Sequence, residues 1–276
     1  MAKSNVQATR RKPTDARPLR LQVRGAHRPT PTFARITLGG PELAEFGPMG
    51  DDQWFRLFLP TGGVESLRHV PDKLTTASYA RFLLVPAAQR PVIRNYTVRA
   101  YRAEGADGPE IDVDFVVHGS EEAGDAGPAS LWAQSCAEGD EVAIIDEGAI
   151  YNAPTGCSLL LAADESALPA VAGILRDAPR DVTGTAVIEV PDAEDRQVLD
   201  EPVGVEVRWV VRESGACPGA AALEAMTSVP VPDGEVYAWV AGESDLATGL
   251  RRHWVRQGVA KKQISFCGYW KADAGH

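Results

Sequence analysis

Ile111-Asp112-Val113-Asp114-Phe115-Val116-Val117-His118 is the stretch that most clearly indicates the fold of the first half of the chain. Its odd-numbered positions are all apolar, whereas the even-numbered positions begin with two aspartates and end with a histidine. A period of two is typical of a strand with two unlike faces. Five more strand-sized segments, separated by Gly and Pro, are Leu19–Arg24, Phe33–Leu38, Trp54–Leu59, Val92–Tyr101 and Glu141–Asp146. Short strands at this spacing predict an antiparallel β-barrel, interrupted by one helix at Pro128–Cys136.

The second half of the sequence alternates between strand and helix patterns after a linker at Asn152–Gly156. Strands are predicted at Ser158–Ala163, Thr185–Val190, Val205–Val211, Glu235–Ala241 and Gln263–Phe266, and helices at Ser166–Leu175, Ala193–Leu199, Ala220–Met226 and Ser244–Gln257. These strands are continuous apolar runs, typical of a parallel sheet covered by helices on both faces. We therefore expect an α+β two-domain protein. It comprises a flexible basic tail (1–18), an N-terminal antiparallel β-barrel (19–151) and a C-terminal α/β parallel-sheet domain (157–276).

Length and composition exclude several classes of protein. With 276 residues, 44% of them hydrophobic and 24% charged, the chain is neither mainly disordered nor fibrous. The first 28 residues carry a net charge of +7 and the rest −17, so nucleic acid is not expected as the main partner. No apolar run is long enough to span a membrane, and the N-terminus lacks the apolar core of a secretory signal, so we expect a cytoplasmic protein. Four scattered cysteines without C-x-x-C predict no disulfide framework and no metal site.

The segment Arg94-Asn95-Tyr96-Thr97-Val98-Arg99 carries the most informative chemistry. On a strand, Arg94 and Tyr96 lie on the same face, where a guanidinium can hold a pyrophosphate bidentately and a phenol ring offers a surface for stacking. Thr97 adds a hydroxyl that can meet a ring nitrogen. The alternative, from the residues alone, is an exposed strand with ordinary cross-strand pairs.

A second candidate segment joins the end of the 111–118 strand to the helix start that follows it. His118 and Gly119 end the strand, and Gly127-Pro128-Ala129-Ser130 opens a helix whose free N–H groups suit a phosphate. Taken singly, these residues are better explained as a satisfied histidine and a simple helix start. Together with segment 94–99 they favour a flavin site.

The second half lacks the glycine-rich turn of a tight dinucleotide site. Its first strand runs into Asp164-Glu165-Ser166-Ala167-Leu168-Pro169-Ala170, where such a fold would have G-x-G-x-x-G. Two carboxylates there would repel a pyrophosphate. The sequence therefore predicts at most a loosely held, transient dinucleotide.

Taken in order along the chain, these segments resemble the siderophore-interacting proteins, which are flavin-dependent ferric-siderophore reductases related to ferredoxin–NADP reductases. The segments that carry the resemblance are Arg94–Arg99, Asp114–Gly119, Gly127–Trp132, Asp164–Ala170, Ala241–Glu243 and Gly268–Lys271. The likeness extends from about Leu21 to Lys271, and the acidic turn at Asp164 is part of it.

The resemblance implies a bound FAD, with NADH or NADPH as transient reductant or a ferredoxin as the alternative donor, and a ferric siderophore as substrate whose iron is released in the ferrous state. It implies that Arg94 holds the FAD pyrophosphate, that Tyr96 stacks on the isoalloxazine ring and that Thr97 bonds near its N5, with Asn95 in the same segment. The remaining cofactor-binding residues that it implies are Asp114, Phe115, Val116, Val117 and His118 on the adenosine side, and Gly127, Pro128, Ala129 and Ser130 at the phosphates. No catalytic residue beyond the flavin is implied, and we expect a monomer.

The expected substrate-binding residues are Arg56 and Lys271, which match basic positions that attract anionic ferric chelates in the family. A third basic position, in a Gly-Pro-Arg-Gly-like turn, is absent, because that turn is Asp146-Glu147-Gly148-Ala149-Ile150 here. We therefore expect a different or less anionic chelate. Two alternatives stay open at this point: a general flavin or quinone reductase on the same scaffold, and a non-catalytic siderophore- or flavin-binding protein.

Overall fold

The computed structural model describes residues 4–5, 10–119, 122 and 126–272. The chain divides into two compact units. Residues 12–49 and 53–148 form the first, here called the barrel unit. Residues 149–272, joined by 50–52 and Arg11, form the second, called the α/β unit. In the described part of the chain no helix is both long and apolar enough to cross a membrane.

The barrel unit is a seven-stranded sheet in which every pairing is antiparallel. In chain order its strands are β1 (Pro18–Thr30), β2 (Phe33–Gly39), β3 (Trp54–Leu59), β4 (Val92–Thr97), β5 (Ala100–Gly105), β6 (Gly108–Val116) and β7 (Glu141–Gly148). The spatial order is β4-β3-β7-β1-β2-β6-β5. Its two helices are α1 (Thr76–Leu84) and α2 (Pro128–Ser135).

The two edge strands of this sheet, β4 and β5, are joined by only two residues, so the sheet must curl until its edges meet. Val98 N donates to Gln53 O (2.8 Å), and Arg99 N donates to Asp112 O (2.9 Å), which links the β3 side to β6. The predicted single strand Val92–Tyr101 is therefore wrong: it is two strands, broken where the backbone bonds change partner.

The barrel interior is apolar, and β6 supplies Ile111, Val113 and Phe115 to it, all fully buried. The prediction of an apolar and an acidic face is confirmed in direction, but the acidic face is not open to solvent. Asp112 and Asp114 are also buried, because arginines from neighbouring strands cover them. The strand ends at Val116, so the predicted extension to His118 is wrong.

Another correction concerns residues 60–91, in which no helix is predicted from the sequence. Helix α1 lies here, begun by a capping box in which Thr75 Oγ1 accepts from Ser78 N and Ser78 Oγ accepts from Thr75 N. Phe82 is its one fully buried apolar side chain and packs on Phe58 in a second cluster on the barrel. Its other apolar side chains are exposed, which removes the periodicity that identifies a helix in a sequence.

The α/β unit contains a five-stranded parallel sheet, as expected. Its strands are β8 (Ser158–Ala163), β9 (Gly184–Val190), β10 (Val205–Val211), β11 (Val236–Glu243) and β12 (Ile264–Trp270), in the order β10-β9-β8-β11-β12. Its helices are α3 (Leu168–Asp177), α4 (Ala220–Thr227) and α5 (Ser244–Arg256). Helix α3 begins after a separate 3₁₀ turn at Glu165–Ala167, and the predicted helix Ala193–Leu199 is only the 3₁₀ turn Ala193–Asp195. The fold class, an antiparallel barrel followed by a parallel α/β sheet, is confirmed.

Residues 50–52 are part of the α/β unit although they lie within the first third of the chain. The buried Asp52 carboxylate accepts from Ile150 N (2.9 Å), Tyr151 N (2.8 Å) and Trp239 Nε1 (2.9 Å). These three donors give the carboxylate the hydrogen bonds that burial requires.

The neighbouring Asp51 completes this attachment. Its N–H donates to Asp177 Oδ2 (2.7 Å), and its carboxylate pairs with Arg11. Helix α3 approaches so closely that a Cβ at Gly173 would lie 2.0 Å from Asp51 O, so only glycine fits there. Within the predicted tail, Arg11 also exchanges backbone hydrogen bonds with Ala149, while residues 1–3 and 6–9 lie outside the described part of the chain.

Candidate functional site

Strand β4 brings the first group of predicted site residues together on the barrel unit. Arg94 and Tyr96 share one face, and the register places them opposite Leu57 and Phe55 of β3. Arg94 is exposed; its Nη1 donates to the Ile93 carbonyl (2.8 Å), and it pairs with no carboxylate among the described residues. A guanidinium in this state has donors available for an anionic ligand.

Tyr96 is held by the aromatic side chains beneath it. Its ring centroid lies 4.2 Å from that of Phe115 of β6, and Phe115 lies 5.5 Å from Trp132 of α2. Burial raises the pKa of the Tyr96 phenol, so the side chain is neutral at physiological pH. The row of rings fixes one face of Tyr96, which is half-buried overall. This arrangement fits a tyrosine that presents a flat surface to a ligand.

Asn95 and Thr97 point to the opposite face of β4. Asn95 is exposed and Thr97 is buried, and their cross-strand partners are Arg56 and Trp54. The indole Nε1 of Trp54 is buried and has no hydrogen-bond partner among the described residues. A buried donor without an acceptor is costly, so this atom marks a place where a ligand acceptor would be stabilising. Trp54 is a candidate that sequence reasoning missed, since a tryptophan opening an apolar strand is typical of core.

The end of β6 and the start of α2 are also brought together, as predicted. The Oγ of the buried Ser130 accepts from His118 N (3.1 Å) and donates to His118 O (2.9 Å). Gly127 precedes the helix in an extended conformation, and no side chain caps the first turn. The N–H groups of that turn have no intrahelical partner, so they are available to an anionic group. The His118 side chain is exposed, and residues 120–121 and 123–125 lie outside the described part of the chain.

The adenosine-side candidates on β6 differ in what their side chains already contact. The Asp114 carboxylate is bound by Arg35 through Nε (2.6 Å) and Nη2 (2.8 Å) and lies 3.4 Å from Arg99 Nε. Phe115 is in the barrel core. The half-buried residues Val116 and Val117 remain closer to the surface. The exposed Arg94, the uncapped α2 start and the Trp54 indole, which has no partner among the described residues, are each donors of a kind that fits the acceptor atoms of FAD.

The two predicted substrate-binding residues lie in different units. In the barrel unit, Arg56 is not free: its Nε donates to Glu147 Oε1 at 2.6 Å. Glu147 itself is buried, and the preceding Asp146 accepts from Gln53 Nε2 (3.0 Å) and Gly148 N (2.8 Å). The acidic turn 146–150 therefore lacks the expected basic residue, and its Glu147 also binds Arg56, one of the two other basic residues expected to contact the substrate.

In the α/β unit, the exposed Lys271 follows β12, and hydrogen bonds fix the backbone on both sides of it. Ser244 Oγ donates to Trp270 O (2.7 Å), and Ala272 N donates to Glu243 Oε1 (3.2 Å). The Trp270 indole Nε1 donates to Asp164 Oδ2 (3.1 Å). These bonds hold Lys271 in one place while its ammonium group remains at the surface.

Asp164 lies at the carboxyl edge of the parallel sheet, after β8, and is fully buried. Besides Trp270, it accepts from Ser166 N (2.9 Å), Ser166 Oγ (2.5 Å) and Glu243 N (2.6 Å). Burial, together with the adjacent charge of Glu165, raises the pKa of Asp164 to about 7. The Asp164 carboxylate thus accepts hydrogen bonds from backbone N–H groups at the place where a dinucleotide-binding fold would bind a pyrophosphate.

Comparisons with known proteins identify both halves of the chain. Residues 22–150 match the siderophore-interacting FAD-binding domain, and residues 157–273 match the family described as siderophore-interacting protein. An uncharacterized protein of Mycobacterium tuberculosis is 36% identical over 254 residues, which cover 87% of this chain and 86% of its own length. The ferric vibriobactin reductase of Vibrio cholerae is 29% identical over 244 residues, covering 86% of this chain and 83% of that protein.

Among solved structures, the siderophore-interacting protein of Aeromonas hydrophila superposes with a TM-score of 0.71 at 31% identity, covering 93% of this chain and 99% of that one. The matches thus extend over both units and confirm the resemblance read from the ordered motifs. The chain belongs to the siderophore-interacting protein family and is an FAD-dependent oxidoreductase, one of the siderophore-related flavin reductases.

Proposed function

We propose that this protein reduces ferric siderophores in the cytoplasm, with electrons that reach its FAD from NADH or NADPH or from a ferredoxin, and that it thereby releases ferrous iron. The observation that carries this proposal is the donor set of the barrel unit. An exposed arginine and a ring-backed tyrosine lie on one strand, and an uncapped helix start follows β6 in the same unit.

In this proposal each group on the barrel unit has one task. Arg94 binds the pyrophosphate of FAD as a bidentate cation, and the N–H groups that follow Gly127 bind phosphate oxygens. Tyr96 presents its ring to the isoalloxazine, and Thr97 and Trp54 offer polar groups to the ring edge. Bound FAD supplies the exchange between two-electron and one-electron transfer that the reaction requires. The protein binds and orients the reactants.

The electron balance follows from the oxidation states. One hydride from a reduced nicotinamide carries two electrons, which convert two ferric ions to ferrous ions and leave one proton for the solvent. The hard oxygen ligands of a siderophore bind ferrous iron less tightly than ferric iron because its charge is smaller, so reduction releases the iron from the chelate. No protein side chain needs to act as an acid or base in this scheme.

The nicotinamide donor is proposed to bind at the carboxyl edge of the parallel sheet in the α/β unit, the usual ligand position of such sheets. The Asp164 side chain already fills the amide groups there. A dinucleotide would therefore bind weakly and leave quickly. This suits a donor that delivers a hydride and dissociates.

The test is an anaerobic absorption titration of the purified holoprotein. Flavin bands that bleach on addition of NADH or NADPH, and return on addition of a ferric trihydroxamate, are the expected result. If free flavin or a quinone restores the bands much faster than every ferric chelate, the general flavin or quinone reductase is the better assignment. Bands that stay oxidised with both nicotinamides and with a reduced ferredoxin would identify a binding protein instead.

A further inference from the structure

Glu147 lies in the turn where the resemblance to the family implies a third basic residue, and it changes this site by more than the loss of one positive charge. Arg56 of β3 is the register partner of Ile145 of β7, and Glu147 lies two residues farther along β7, at a bulge where the register between the two strands shifts. The side chains meet at 2.6 Å, with Arg56 31% and Glu147 9% exposed. Glu147 is therefore an acid in the turn where the resemblance implies a base, and it pairs with the neighbouring Arg56.

The ion pair removes the field that an isolated arginine would present. The guanidinium and the carboxylate bonded to it carry opposite unit charges, so the field of the two together at a chelate is much weaker than that of the guanidinium alone. The Glu147 carboxylate is buried, and burial makes the loss of a bonded cation costly, so the bond to Arg56 is expected to persist. The pair is therefore a persistent, nearly neutral feature of this surface.

The pair also lies next to the residues that we propose contact the flavin. Arg56 is the cross-strand partner of Asn95, and the residues that follow Asn95 are Tyr96 and Thr97. Side chains directly opposite on an antiparallel pair are about 5 Å apart at Cβ. A chelate that approaches the flavin ring edge near Thr97 would thus meet the Arg56–Glu147 pair.

We infer that the Arg56–Glu147 ion pair makes this site selective for ferric chelates that carry no net charge or a positive one, such as trihydroxamates, over anionic chelates such as tris-catecholates. The inference rests on the proposed function, because it names the substrate class of the same site. The charge of the whole chain, −10, acts in the same direction by repelling anions.

The experiment compares three chelates with the same iron coordination and different charge: ferrioxamine B, whose terminal ammonium is positive, its neutral N-acetyl form and its anionic N-succinyl form. Two quantities are measured for each: kcat/KM for reduction, and the dissociation constant of the redox-inert gallium(III) complex by tryptophan fluorescence. Because iron coordination is constant, differences report charge and not the ease of reduction.

The informative variant is Glu147→Gln, which keeps the shape and frees the charge of Arg56. We expect the unchanged protein to favour the cationic and neutral chelates over the anionic one. In Glu147→Gln, KM and the dissociation constant of the anionic chelate should fall about threefold, and those of the cationic chelate should rise about as much, with kcat unchanged. Adding Arg56→Gln to this variant should restore the original order, since the pair is then neutral again.

Glu141→Gln, at the exposed start of β7, changes the total charge equally and is the matched control; it should not alter the order. The FAD dissociation constant shows whether each variant retains its fold. A preference for the anionic chelate in the unchanged protein, or an order that Glu147→Gln leaves intact, would overturn the inference. Charge-ordered binding without reduction would overturn the proposed function and keep the inference, whereas no binding of any member would overturn both.

Discussion

The start of α2 after β6, in the barrel unit, and the 3₁₀ turn after β8, in the α/β unit, are both junctions between a strand and a helical segment. They differ in whether a side chain of the protein binds the backbone N–H groups of the first turn. After β6, Gly127 precedes α2 and no side chain caps the first turn. After β8, Asp164 turns its own carboxylate back onto Ser166 N and Oγ. The first junction leaves its donors available, and the second has already satisfied them.

The contrast predicts that FAD and the proposed nicotinamide donor bind to this chain with different affinity. At the first junction a phosphate would meet amide groups that no side chain caps, and the exposed Arg94 of β4 is in the same unit. At the second junction a phosphate would have to displace Asp164, which is bound by four donors. We therefore expect FAD to remain bound while the nicotinamide exchanges. Each of the following changes tests one side of this contrast.

Removing the donors on the barrel side has the largest expected effect. In Arg94→Ala/Tyr96→Ala the FAD loses charge-assisted hydrogen bonds and a stacking surface, together about 3–5 kcal/mol, so its dissociation constant should rise about a hundredfold or more. Quenching of flavin fluorescence measures it. Arg81→Ala, an equally exposed arginine on α1, serves as control and should bind FAD normally. Normal FAD binding by the double variant would move the phosphate site away from β4.

The buried Asp164, at the junction after β8, should make the stability of the protein depend on pH. Because burial and the charge of Glu165 raise the pKa of Asp164 from 3.8 to about 7, the folded chain holds this proton more tightly than the unfolded chain does. The stabilisation is complete below about pH 4 and is lost as the pH rises through about 7, with a change of about 4 kcal/mol.

Denaturant unfolding at several values between pH 4 and 8 measures this slope, and Asp164→Asn should flatten it. A smaller slope of the same sign should remain, since burial also raises the pKa of Asp51 to about 6. Unfolding free energies of the Asn variant that fall with pH as steeply as those of the unchanged protein would show that Asp164 titrates normally.

The position of the α2 start relative to β6 is held by a pair of hydrogen bonds between Ser130 and His118. Their loss should have a smaller effect than the two changes described above. Ser130→Ala removes both, so we expect about 1–2 kcal/mol lower stability and severalfold weaker FAD binding, because Gly127 is then less well fixed relative to β6. Ser135→Ala is the control on the same helix, since among the described residues the Ser135 Oγ bonds only to carbonyls of its own helix, Leu131 O (3.0 Å) and Trp132 O (3.5 Å). Equal losses in both variants would indicate a general weakening of α2.

Features encoded locally could be predicted from the sequence. The alternation from Ile111 predicts a barrel strand, and the apolar runs of the second half predict the parallel sheet. Helix α1 is signalled only by its capping box at Thr75, which uses serine in place of the usual Glu or Gln, and its exposed apolar side chains give no periodicity.

Features that depend on register could not be predicted. Val98 and Arg99 have the composition of a strand, and only the change of backbone partners ends β4 there. Glu147 reads as a missing base in the sequence, whereas its pairing with Arg56 follows from the alignment of β3 with β7. Likewise, the cover of Asp114 comes from Arg35 on a neighbouring strand. The substrate preference inferred here therefore comes from strand alignment and not from any motif.

The attachment of residues 50–52 to the α/β unit has a consequence for how this protein can be made and recombined. A fragment beginning at residue 149 would encode the whole parallel sheet, yet it would leave the amides of Ile150 and Tyr151 and the indole of Trp239 without the Asp52 carboxylate. During synthesis, the hydrogen bond between Asp52 and Trp239 cannot form until Trp239, which follows 187 residues later, has left the ribosome. A chimaera that takes its C-terminal half from a relative would therefore also need residues 50–52 from that relative.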